Sequence, residues 1–330
     1  MEMDEQHLWS LPSGPAIVYL FYLLNVAPDW NRLRRLEKVS HGTKITVEDC
    51  NNHRGMAVAF RTASAEIHFA IRYTELLRIG LTPARRLLPY LLSQTIAQCS
   101  AGGRIVPGEI VIPLRDLVYH GFYSTSRSAR VAVEHSMQLL RGIGLSGRVT
   151  RPQEEEQDHP EPLLSGYTIQ NGTLSVRMND KLNWAFVVQS YTVLPICCAR
   201  LPARASSLLL YLSMLARQNT AKTAQGQPFS VKLQSIKIHL GLAEEQDSKS
   251  PRQEVLQPIL DAIGQINQAA DGMICLEPDT RPDMKAKDSL RLGRLLVWLD
   301  GNYADYFLRL DRRNRGFSRR GRLRTTAQGS

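Results

Sequence analysis

One order of elements occurs twice in this chain. The second copy opens at Leu201-Pro202, 120 residues after Leu81 of the first. In the first copy, Gly80-Leu81-Thr82-Pro83 reads as a helix start, with Thr82 as N-cap and Pro83 in the first turn. Leu87, Leu88, Leu91, Leu92 and Thr95 continue it as a buried stripe at helical spacing. Glu109 to Ile112 reads as a strand, Leu114 to Tyr119 as a short helix closed by His120-Gly121, and Thr125 to Arg141 as a long helix stopped by Gly142. Leu145 to Thr150 and Tyr167 to Gln170 are strand-like, and an acidic loop from Pro152 to Pro162 joins them. The second copy repeats the order. It has a stripe over Leu208, Leu209, Leu212, Leu215 and Ala216, a strand at Pro228 to Val231, and a short helix from Leu233 to Leu240. A long helix follows from Pro251 with Val255, Ile259, Ala262, Ile263 and Ile266 inward, then paired strands at Met273 to Leu276 and Leu295 to Leu299 around the loop Glu277 to Leu290.

Helix, strand, short helix, long helix, hairpin is the winged-helix order, with the two later helices as a helix-turn-helix and the hairpin as the wing. The expected fold class is therefore α+β: two tandem winged-helix domains with an N-terminal extension and a basic C-terminal tail. The boundaries are 1–60 for the extension, 61–180 and 181–310 for the domains, and 311–330 for the tail. A length of 330 residues suits two domains. The extension carries the least pattern. Its apolar stretch Ala16 to Leu24 is too short to span a bilayer, which takes about 20 residues, and reads as a buried element, with a dimer contact as the alternative. Glu2, Asp4 and Glu5 have the wrong charge for a signal peptide. Five cysteines without a CxxC pair exclude the common zinc patterns and fit a reducing cytoplasm. Cys197-Cys198 reads as core.

The net charge is +10, and it is localised. Residues 61–150 hold eleven Arg against five acidic residues, and residues 311–330 hold seven Arg against one Asp. Residues 201–310 are nearly neutral, with thirteen Lys and Arg against twelve acidic residues. A localised basic surplus suits a polyanion. On the first long helix Arg127, Glu134, Gln138 and Arg141 gather opposite the apolar stripe, with Arg130 on their flank, and such a face can enter the major groove. Ser124, Thr125 and Ser126 can cap that helix or bond phosphate. Arg148 and Arg151 fall where the first wing is expected. In the second copy the equivalent candidates are Lys249, Ser250, Arg252 and Gln253 at the long helix, and Arg291 and Arg294 at the wing. Arg312, Arg313, Arg315, Arg319 and Arg320 of the tail can neutralise phosphates without reading sequence.

Catalytic patterns are absent: no GxxxxGK[ST], no GxGxxG after a strand, no HExxH and no GxSxG. No catalytic residue, metal or cofactor is expected, and His68 and His120 read as structural.

Tandem winged-helix units, the first opened by GLTPARRLL and the second by LPICCARLPARASSLLLYL, resemble bacterial plasmid replication initiator (Rep) proteins. The resemblance covers roughly residues 61–300. It implies a non-enzymatic protein that binds repeated origin sequences in double-stranded DNA, opens the duplex and recruits host replication factors, with base contacts from helices corresponding to Thr125–Arg141 and Arg252–Asn267. A homodimer is admitted; a membrane partner is not expected. A winged-helix transcriptional regulator is the alternative, and an enzyme or a non-DNA interaction module is the third class.

Overall fold

The computed structural model describes residues 8–12, 15–26, 44–50, 55–61, 65–72, 76–101, 104–105, 108–149, 155–182, 191–223, 225–240, 242, 250–279, 285–301 and 303–305. Two compact units result, Pro12–Val188 and Gln189–Ser330 with Met1–Leu11. Strand β1 (Leu8–Pro12) pairs in the second unit.

The first unit runs α1 (Pro15–Val26), β2 (Lys44–Cys50), β3 (Gly55–Arg61), β4 (Ala65–Arg72), α2 (Leu76–Cys99), the two-residue strands β5 (Ser100–Ala101) and β6 (Arg104–Ile105), β7 (Glu109–Pro113), α3 (Leu114–Tyr119), α4 (Ser126–Arg141), β8 (Ile143–Val149), β9 (Glu155–Pro162), β10 (Leu164–Gln170) and β11 (Thr173–Met178). Strands β2-β3-β4-β8-β9 form an antiparallel sheet. Alternation along β4 buries Ile67, Phe69 and Ile71. Helix α1 covers this sheet: Ile17, Leu20, Phe21, Leu23 and Leu24 are buried, and Tyr19 stacks on Phe60 with centroids 4.5 Å apart. The apolar stretch of the N-terminal segment is thus a buried element of its own unit. At the bulge in β8, Gly147 has φ +131 and a Cβ there would lie 2.1 Å from the Glu66 carbonyl oxygen, so only glycine fits.

The winged-helix part is α2, β7, α3, α4 and the hairpin β10–β11, with sheet order β10-β11-β7. Two expectations need correction. Helix α2 begins at Leu76, so Pro83 lies inside it, as does Pro89, and Thr82 is not its N-cap. Each proline removes one intrahelical donor. Burial of Ala84, Leu87, Leu88, Leu91, Leu92 and Thr95 along one stripe offsets that loss. The acidic segment expected as a wing loop is instead β9 on the edge of the five-stranded sheet. Charges and prolines are what edge strands carry to block further pairing, and they hid the strand. The hairpin turn is Asn171-Gly172, with φ 49° and 72°, the double left-handed geometry of a tight hairpin.

The second unit runs β12 (Tyr191–Pro195), a 3₁₀ turn (Ile196–Ala199), α5 (Ala203–Gln218), α6 (Thr220–Thr223), β13 (Phe229–Lys232), α7 (Leu233–His239), a π turn (Arg252–Leu256) leading into α8 (Gln257–Ala269), β14 (Ile274–Asp279), α9 (Ala286–Leu292) and β15 (Arg294–Leu299), with sheet order β13-β15-β14. Pro258 has no N–H, and the Gln257 amide reaches back to the Arg252 carbonyl, closing the wide turn. The region expected as one polar loop, Glu277 to Leu290, holds the end of β14 and most of α9. Cys198 is buried, and burial pushes the Cys197 thiol up to about 11, which fits a core role for the pair.

The two winged-helix parts match position by position. Ala129, Val133, Ser136, Met137 and Leu140 are buried on α4, and Val255, Ile259, Ala262, Ile263 and Ile266 are buried at the same spacing in the second unit. The Leu114 amide donates to the Gly172 carbonyl at 2.8 Å, and the Leu233 amide to the Gly293 carbonyl at 3.1 Å. One difference is the edge strand that an amide side chain covers: Gln98 bonds both backbone groups of Val111 on β7, whereas Asn267 bonds both of Leu276 on β14, the opposite edge of its sheet. Tyr90 faces His120 at 5.6 Å and Tyr211 stacks on His239 at 4.2 Å.

Burial holds His239 down at about 4, while a hydrogen bond with the Ser207 backbone works in the opposite direction. A folded-state value below the ordinary 6.5 means the unfolded chain takes up the proton first as pH falls. Stability is therefore expected to be flat above about pH 6.5 and to drop by about 2 kcal/mol by pH 5. Urea denaturation at pH 7.5 and 5.0 checks this. His239→Phe, which keeps a ring against Tyr211, should flatten the difference, and an unchanged drop would assign it to other groups.

Candidate nucleic-acid interface

Helix α4 is built to stand with one face in solvent. Thr125 caps it: the Ser128 amide donates to Thr125 Oγ1 at 3.1 Å, and the Thr125 amide donates to Ser128 Oγ at 3.2 Å. Such a cap contributes about 1 kcal/mol. The Thr125 hydroxyl is therefore engaged in the helix itself, while Ser124 and Ser126 beside it are exposed.

Arg127, Arg130, Val131, Glu134, Gln138 and Arg141 are all exposed. At about 100° per residue they fall within an arc of about 100°, opposite the buried stripe. Three guanidiniums against one carboxylate make the arc cationic, and within the described residues no carboxylate pairs with Arg127, Arg130 or Arg141. The preceding helix adds Arg115, with 86% of its side chain exposed and 3.8 Å from Asp116, and Tyr119, exposed to 81%. On the hairpin, Thr168, Gln170, Asn171 and Arg177 are exposed. Sequence reasoning omitted Arg115, Tyr119, Val131 and Arg177. Angular position alone would have included Val131, but its apolar character hid it.

Other expected residues are placed differently. Arg148 lies on β8, where the backbone register sets it opposite Glu66 and Glu156. That position is in the five-stranded sheet rather than the hairpin, because β8 continues from α4 onto β4, a partner distant in sequence. Glu66 itself accepts from Arg61 Nε at 2.6 Å and contacts His68 Nε2 at 3.1 Å, and the Arg61 guanidinium holds its carboxyl below the usual range. His68 and His120 take part in these packing and ion-pair contacts, as expected for structural histidines.

In the second unit Ser250 is half-buried, and its carbonyl accepts from the Glu254 amide at 2.9 Å. Arg252 and Gln253 are exposed beside Glu254. Arg291 pairs with Asp288 at 3.4 Å on α9, and Arg294 donates to Ser230 Oγ at 3.1 Å. Gln257 donates to Asp261 at 2.8 Å. This face is polar and close to charge balance. Arg151, Lys249, Arg312, Arg313, Arg315, Arg319 and Arg320 lie outside the described residues.

Among the described residues no cluster of three His, Cys, Asp or Glu is placed to hold a metal ion, and no helix is long and apolar enough to cross a membrane. No protein-family model matches the chain, and no curated protein matches it. Among solved structures it is similar to a crystal structure of RctB domains 2-3, with 8% sequence identity and a TM-score of 0.44, over 82% of this chain and 95% of that one.

Proposed function

We propose that the first winged-helix part binds double-stranded DNA through α4, and that the chain acts as a non-catalytic replication initiator at repeated origin sites. The observation that carries this reading is the capped, solvated Arg127–Arg141 face on the second helix of a helix-turn-helix. Guanidiniums at Arg127 and Arg130 have the fork geometry that pairs with guanine O6 and N7, and Gln138 has the amide that pairs with adenine. The five-stranded sheet braces the same unit from the other side of α4 in sequence, through β8. Neither a cofactor nor a metal enters this scheme.

A site selected from random duplexes by the full-length chain gives the substrate for the test. Arg127→Ala or Arg130→Ala is expected to weaken binding to that site by about 1–3 kcal/mol and binding to random DNA by less. Equal losses on both would make the residue a phosphate contact. Permanganate footprinting beside the site, which detects unpaired thymines, separates duplex opening from promoter occupancy by a regulator.

A further inference from the structure

Val131 is 51% exposed at the middle of α4. Single exposed apolar residues are ordinary on protein surfaces, so its position is what matters. It lies in the same arc as Arg127, one turn before it, and Gln138, two turns after. The opposite side of the helix is closed by Val133, Met137 and Leu140, all buried, so Val131 has no place in the core. A branched apolar side chain flanked by cationic and amide groups faces whatever the arc binds. The charge of Arg127, Arg130 and Arg141 fits a phosphate backbone. Within a major groove, the apolar group that base edges offer is the thymine C5-methyl.

We propose that Val131 packs against the C5-methyl of one thymine in the site read by α4, and so sets a preference for T over C at that position. This rests on the reading of α4 as the DNA-contacting helix. Val131 lies about 6 Å along the helix axis from Arg127, so the thymine is expected one to two base-pair steps from the base that Arg127 contacts.

The experiment uses the full-length chain and its selected duplex, with each thymine replaced in turn by deoxyuridine, which removes only the methyl group. One position should weaken wild-type binding about four-fold, the worth of one buried methyl-sized group. Val131→Ala should bind the unmodified duplex about as weakly and show no further loss at that position, while sensitivity elsewhere is unchanged. The variant site is exposed, and circular dichroism checks that α4 is intact. A wild type indifferent to every deoxyuridine, or a Val131→Ala variant as sensitive as wild type, overturns the assignment while sequence preference through Arg127 and Arg130 survives. Enrichment of no sequence at all overturns the DNA reading, and this inference with it.

Discussion

Deleting residues 311–330 is expected to flatten the salt dependence of DNA binding, because it removes seven Arg and one Asp. Each Arg that neutralises a duplex phosphate releases a counterion, and each contributes about 0.9 to the slope of log K against log salt. If only three of the seven touch DNA, the slope falls by about 2.7, and affinity at low salt falls by orders of magnitude. The order of preference among sequences should not change, since phosphate contacts carry no base information. Salt titrations of full-length and truncated protein on the selected and a scrambled duplex measure both quantities. An unchanged slope would remove the tail from the DNA footprint, and a changed ranking would make it a reader of sequence.

The second large effect concerns stability. Met137 and Ile263 occupy equivalent buried positions on the two long helices, at 0% and 4% exposure. Truncating either to Ala removes buried methylenes and leaves a cavity, a loss of about 2–5 kcal/mol. Chemical denaturation of Met137→Ala and Ile263→Ala should show each loss in the transition of its own unit. Gln138→Ala, next to Met137 but solvated, should cost less than about 0.5 kcal/mol. A small loss at Met137 would mean that the stripe is less tightly packed than its burial indicates.

Local signals made most of the winged-helix framework legible. Leu114–Tyr119 and Ser126–Arg141 were readable from their apolar spacing, from Thr125 as a cap and from Gly142 as a stop. Ala203–Gln218 and Leu233–His239 followed from the same periodicity. What failed depended on partners far along the chain. Glu155–Pro162 has no apolar alternation, and only pairing with β8 makes it a strand. Residues 44–61 gave no pattern, because β2 and β3 are defined by β4 and by the helix that covers them. Pro83 resembled a helix start because the rule for first-turn prolines is local, whereas the burial that carries α2 through it is not. At the candidate interface, Arg127, Arg130, Gln138 and Arg141 were readable from the helical wheel. The wing was misplaced, because a two-residue Asn171-Gly172 turn gave less signal than the longer acidic segment before it.

The duplicated backbone bonds, Leu114 to Gly172 and Leu233 to Gly293, separate what holds each unit together from what it presents to a partner. Wing and short helix are joined through main-chain atoms, and the long helix is held by a stripe of buried positions. In the first unit neither uses a side chain from the solvated arc. The arc is consequently free to drift: mutations there leave folding intact, so selection acts on them through binding alone. In the second unit the positions equivalent to Arg127, Arg130 and Arg141 carry Gln253, the buried Leu256 and Asn267, so none of them is cationic. Substitutions in the first arc can therefore be made one at a time without disturbing the frame that carries it.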